Sequence, residues 1–191
     1  LGTSDFYLSP IFTASADSTH GYDVNDYATV SPELGGREAF ERLADRLRAE
    51  GAGLLVDMVP NHMGITGPRN AWWRDVLAYG KHSAYAPFFD IHWSAGGDRV
   101  LVPILEHHYG HELESGKISI GFGREFFLAY GEVKLPVKPD SEGKILRALA
   151  EKADLSPSDR AAVTTFAADL AGLGQFATAE NRDKAKDRSR R

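Results

Sequence analysis

Hydrophobic and polar positions alternate along this chain with two different periods. The run "DFYLS" (5–9) mixes aromatics with leucine and then meets Pro10, which predicts a short buried strand entering a loop. The loop extends to about Gly36 and includes "STHGYDVNDYATVSPELGG" (18–36), rich in turn formers yet carrying aromatic, histidine and acidic side chains. "REAFERLADRLRAEG" follows, with Phe40, Leu43, Ala44 and Leu47 at helical spacing, charged residues opposite and Gly51 at the C-cap. "GLLVDMVP" (53–60) is a nearly continuous apolar run interrupted by Asp57 and stopped by Pro60, the pattern of a strand buried on both faces. Strand, loop, helix, strand is a βαβ unit and predicts parallel pairing.

Beyond residue 65 the period changes. "AWWRDVLAYG" (71–80) predicts a short helix capped by Gly80. "YAPFFDIHW" (85–93), "RVLVPIL" (99–105) and "KISIGF" (117–122) predict short extended segments, and "EFFLAYGEVKLP" (125–136) a longer one. Helices are predicted over 141–153 and 156–173, the second with Ser156 as N-cap, Pro157 at N1 and Asp159 at N3. The closing "ENRDKAKDRSRR" is polar and mixed in charge, a solvated helix or frayed tail.

Composition narrows the class. With 191 residues, 42% hydrophobic, the chain can build a real core. Twenty-two basic against 27 acidic residues leave net −5, which gives no ground for a nucleic-acid partner. No apolar run approaches the roughly 18–20 residues that cross a bilayer, and no basic-then-apolar leader is visible, so neither membrane nor signal segment is expected. Zero cysteines exclude disulfides and thiolate metal sites and fit a cytoplasmic protein. The chain opens at Leu1 and reaches a strand within a few residues, as expected of a piece of something longer.

The chemistry concentrates at two strand ends. In parallel α/β folds, ligands meet the C-terminal ends of strands, and both the 18–36 loop and the "PNHMG" turn (60–64) leave such ends. Asp57 within a buried strand requires a partner from elsewhere in the fold, because an isolated buried carboxylate is costly. Asn61 and His62 lie just beyond, where side chains converge on a ligand. Sugar rings present an apolar C–H face and a rim of hydroxyls, so a Tyr/His/Asp/Asn/His set is suited to them.

His-Gly-Tyr-Asp followed by Asp-x-x-x-Asn-His resembles the α-amylase superfamily of glycoside hydrolases (family 13). The resemblance implies an α/β fold: a portion of a (β/α)8 TIM barrel, about strands 2–3, plus an inserted α+β domain. It divides the chain into partial barrel (1–64), inserted β-rich domain (65–137) and helical insertion with charged tail (138–191). It implies that Tyr22 stacks on the sugar at the cleavage subsite and that His20 and His62 hydrogen-bond it. Asp23, in the same motif, is a further substrate-binding position. By the same resemblance Asp57 supports the catalytic centre without being nucleophile or acid, and would pair with an arginine of the fourth strand. Asn61 matches an asparagine that in some members binds calcium; no metal is assigned to this chain.

The order of "YLSPIFTASADSTHGYDVNDYATVSPELGG", "GLLVDMVPNHMGI", "WWRDVLAYGKHSAYAPFFDIHW" and "VLVPIL" is similar, within that superfamily, to the maltooligosyltrehalose synthase family. That resemblance implies conversion of the reducing-end α-1,4 link of a maltooligosaccharide to an α,α-1,1 link by intramolecular transglycosylation. It implies no organic cofactor, and a maltooligosyltrehalose trehalohydrolase as functional partner. The superfamily's catalytic carboxylates lie on its fourth and fifth strands and after the seventh, and no Arg-x-Asp strand motif occurs here. The polypeptide alone is therefore expected to be inert. Plain glucan hydrolysis and a non-catalytic glucan-binding module are the alternatives.

Other conspicuous residues have plainer readings. "EHHYGHE" (106–112) would place His108 and His111 on one helix face, but it lacks His-Glu-x-x-His spacing and is read as a polar loop. Of the adjacent Trp72 and Trp73, at most one can face a ligand. The Phe88–Phe89 and Phe126–Phe127 pairs are read as core.

Overall fold

The computed structural model describes residues 2–65, 69–96 and 99–173, and the charged tail lies outside them. The chain divides into two compact units, Leu1–Ala71 and Trp72–Arg191.

The first unit contains β1 (Asp5–Leu8), β2 (Phe12–Ala14), β3 (Val24–Val30), α1 (Gly36–Ala49) and β4 (Gly53–Val56). β1 and β4 pair in parallel, with Tyr7 opposite Leu55 and Leu8 opposite Val56, and α1 supplies the crossover. This is the expected βαβ unit. The burial differs from expectation: Tyr7 is 64% and Leu55 60% exposed. The sheet is two strands wide, so each strand has an unpaired edge and Leu55 has no second layer over it. Along α1 the predicted apolar face holds at Phe40, Ala44 and Leu47, whereas Leu43 is exposed. The helix ends at Gly51, whose φ of +70° is the left-handed C-terminal stop that the sequence signalled.

The expected loop over 18–36 contains a strand. β3 runs antiparallel to β2, with register irregularities between Phe12 and Ala14. Val24 and Asn25 are buried at its start. The segment "VNDYATV" is rich in β-branched and aromatic residues, and this preference prevails over the turn formers on either side. A single 3₁₀ turn, Pro32–Leu34, then leads into α1.

The second unit contains α2 (Ala71–Tyr79), α3 (Trp93–Gly96), α4 (Tyr109–Glu114), β5 (Ile118–Phe122), β6 (Phe126–Tyr130), β7 (Val133–Pro136), α5 (Pro139–Lys152) and α6 (Pro157–Leu173). Trp72 stacks on Tyr85 at 5.3 Å and meets Phe88 at 4.9 Å, while Trp73 packs on Phe89 at 5.1 Å. The two indoles therefore point apart, as adjacent helical residues must. Phe88 is 65% exposed, so only Phe89 of that pair is shielded.

Neither 85–93 nor 99–105 forms a strand. Ala86–Phe88 is a 3₁₀ turn, and Pro87 and Pro103 remove the donors a ladder needs. The predicted long strand over 125–136 breaks at Gly131, φ +55°, giving the meander β5-β6-β7. The run 106–112, read as a polar loop, instead enters α4. His108 is its N-cap, its Nδ1 accepting from the backbone N–H of His111 at 3.2 Å. α5 and α6 pack on one another. Ser156 Oγ accepts from Asp159 N at 3.1 Å, which is the predicted cap, and Arg160 donates to the carbonyl oxygens of Ala150 and Ala153 at the end of α5.

Candidate functional site

The strand ends of the first unit position a polar cluster around Asp57. Its backbone N–H donates to Leu8 O at 2.9 Å, extending the β1–β4 ladder by one bond. Asp57 lies two residues beyond Leu55, the register partner of Tyr7, so period two places Asp57 and Tyr7 on one face. Tyr7 and Tyr22 both donate their hydroxyls to Asp57 Oδ2, each at 2.7 Å. These bonds from Tyr7 and Tyr22 hold the Asp57 carboxyl below its ordinary range, against a smaller opposing effect of burial. The bond to the carboxylate raises both phenols in turn.

Tyr22 is fixed from its other side as well. Its backbone N–H donates to His20 Nδ1 at 3.0 Å, so that nitrogen is an acceptor and the ring proton sits on Nε2. The His20 and Tyr22 rings stack at 5.8 Å. Gly21 sits between them at φ +75°, and a Cβ there would come within 3.1 Å of Pro10 O, so the tight turn depends on glycine. Asp23 accepts from Ser18 Oγ and lies 3.8 Å from His20 Nδ1. Burial pushes the Asp23 carboxyl up, but bonds from Ser18 and Ser15 prevail and the net direction is down.

The turn after β4 is held separately. Tyr27 donates its hydroxyl to Val59 O and, at 3.0 Å, to His62 O. Gly64 N donates to Val24 O at 2.8 Å. Asn61 Oδ1 and His62 Nδ1 lie 3.1 Å apart, and both side chains are exposed. The one group of three acidic or histidine donors among the described residues lies apart from Asn61, at His107, His111 and Glu112.

Of the six sequence-selected residues, the structure links His20, Tyr22, Asp23 and Asp57 through direct contacts, while Asn61 and His62 pair with each other. Within this chain Asp57 is partnered by two phenols. Tyr7 and Tyr27 escaped the sequence reading; the alternation that links Tyr7 to Leu55 and Asp57 was the signal for the first. A cavity of about 360 Å³ opens between the end of β1 and α1, lined by Pro10, Ile11, Phe12, Phe40 and Leu43. Among the six selected residues only His20 lines it, so it is an apolar cleft beside the cluster rather than the cluster itself.

A parallel strand pair with a helical crossover and a tyrosine–aspartate cluster at its strand ends is one βαβ unit of an α/β fold, and similarity to the α-amylase catalytic domain assigns it to a portion of a (β/α)8 barrel enzyme. The chain belongs to the α-amylase catalytic-domain family, whose family model matches residues 1–126. It is 48% identical over 142 residues, 74% of this chain, to a putative maltooligosyl trehalose synthase of Mycobacterium tuberculosis and spans 18% of that protein. It is 40% identical over 92 residues, 48% of the chain, to an intracellular maltogenic amylase of Bacillus subtilis, covering 15% of it. The structure of maltooligosyltrehalose synthase from Arthrobacter ramosus superposes with a TM-score of 0.63 at 38% identity, over 72% of this chain and 18% of that one. The chain thus spans about one fifth of the length of these trehalose-synthase relatives. Among the described residues no helix is long and apolar enough to cross a membrane.

Proposed function

We propose that this chain is the second-strand-to-inserted-domain part of an α-glucan-rearranging enzyme that turns the reducing-end α-1,4 link of a maltooligosaccharide into an α,α-1,1 link. The observation that carries the reading is the Tyr22 ring, 39% exposed and anchored by Asp57 at its hydroxyl and His20 at its backbone and ring. An aromatic plane fixed in this way suits the C–H face of a glucose unit. His20, Asp23, Asn61 and His62 supply donors and acceptors for its hydroxyls, and Asp57 orients the tyrosines without reacting. In this reading residues 1–64 are the barrel portion, 65–137 the inserted β-rich domain and 138–191 a helical insertion with a charged tail.

A retaining glucosyl transfer needs a nucleophilic carboxylate and an acid/base about 5–5.5 Å apart. In this proposal those groups are supplied by later strands of the full-length gene product. The covalent glucosyl intermediate is attacked by the 1-hydroxyl of the released glucose while water is excluded. A maltooligosyltrehalose trehalohydrolase is the functional partner, and the cysteine-free sequence suits the cytoplasm.

The test follows the products of the full-length gene product acting on maltopentaose. Loss of reducing ends without glucose release supports the proposal. A rise in reducing ends with glucose or maltose release would show hydrolysis instead, the reading that similarity to the maltogenic amylase favours.

A further inference from the structure

The run 106–112 gathers groups that the glucan reading does not use. Glu112, on α4, is fully buried. Its Oε1 lies 2.8 Å from His107 Nδ1. Lys117 Nζ forms an ion pair with Glu112 Oε2 at 3.3 Å and also lies 3.0 Å from Glu106 Oε2. The His107 and His111 rings meet edge to face at 4.9 Å. One donor atom from each of His107, His111 and Glu112 falls within 4.8 Å of the others.

We propose that His107, His111 and Glu112 form a binding site for a divalent transition-metal ion of the zinc type. Two imidazoles and a carboxylate are a donor set that Zn²⁺, Co²⁺ and Ni²⁺ favour. Bond lengths near 2.0–2.2 Å put tetrahedral donors roughly 3.3–3.5 Å apart, so small rotations of two exposed imidazoles close the site. The exposure of both rings leaves the fourth position open to water. The Glu112 carboxylate, buried and already in contact with His107, is the fixed point around which the rings move. Lys117 is the group the ion must displace, and Glu106, already in contact with it, retains it when it leaves. His108 is excluded as a ligand through Nδ1, because that atom caps α4. The bound ion would tie the segment before α4 to the helix; that segment is already linked to β6 by the Glu106 N–H, which donates to the Tyr130 hydroxyl at 3.0 Å.

The test is Co²⁺ titration of the 191-residue chain, read by visible absorption and by competition with Zn²⁺. The expected result is one equivalent bound with the absorption of a four-coordinate site and a higher Tm with Zn²⁺. His111→Gln, an exposed substitution that leaves Glu112 in place, should weaken binding at least ~10-fold. Lys117→Gln should tighten it several-fold, a change that non-specific histidine binding would not show. The absence of saturable binding, retention of full affinity by His111→Gln, or unchanged affinity in Lys117→Gln would each overturn the proposal.

Discussion

Asp57 Oδ2 receives two phenolic hydroxyls, and this one atom sets how the cluster responds to pH. The Asp57 pKa is lowered in the folded chain, so its contribution to stability is present above the ordinary value of 3.8 and lost as pH falls through the folded value. Tyr7 and Tyr22 are raised above 10.0, so theirs is present below that value and lost as pH rises through the folded ones. Asp57→Asn removes the charge behind both upward shifts. We predict that tyrosinate absorbance, titrated with alkali, will show two phenols ionising earlier in this variant than in the native chain; coincident curves would mean the contacts do not persist in solution. Tyr22 was legible in the sequence because a turn-rich loop rarely carries so many ring and acidic side chains, and Asp57 because a carboxylate interrupts an apolar strand run. Tyr7 was not, since an aromatic in a strand ordinarily packs. Only the register with Leu55 shows that it shares a face with Asp57.

At the scale of elements, α5 and α6 set two physical rules against each other. Gly143 lies inside α5, where alanine is favoured by about 1 kcal/mol on helix propensity. An added Cβ, however, would lie 2.5 Å from Ala167 O on α6, and relief of overpacking costs typically 1–3 kcal/mol. Gly143→Ala is therefore predicted to lower the Tm by a few degrees, read by circular dichroism; a raised Tm would show that the helices separate without cost. Gly64 is the counterpart near the site. A Cβ there would lie 2.5 Å from Asp23 O, so Gly64→Ala should also lower the Tm and disturb the turn carrying His62.

Helices were the most legible elements, because amphipathic spacing and caps are local: Gly51 and Ser156 act as their sequence contexts indicate. Strands were less so. β3 was hidden among turn formers, Gly131 divided a predicted single strand, and Pro87 and Pro103 left their segments outside any ladder. Pairing is non-local, and an apolar run does not state which neighbour will complete its sheet.

For the whole molecule, the two-stranded parallel sheet leaves an unpaired edge on each strand, with Phe6, Tyr7 and Leu55 exposed. We predict concentration-dependent self-association of the 191-residue chain in size-exclusion chromatography; a monomer across the range would mean these edges are protected. The same chain is predicted to form no trehalose ends from maltopentaose, since it lacks an Arg-x-Asp strand motif. The most direct measurement is kcat/KM for reducing-end loss from maltopentaose by the full-length gene product, native and with Tyr22→Ala. A fixed aromatic platform contributes on the order of 1–2 kcal/mol beyond its burial, so a fall of at least ~10-fold is expected. An unchanged kcat/KM would contradict the claim that this loop holds the sugar.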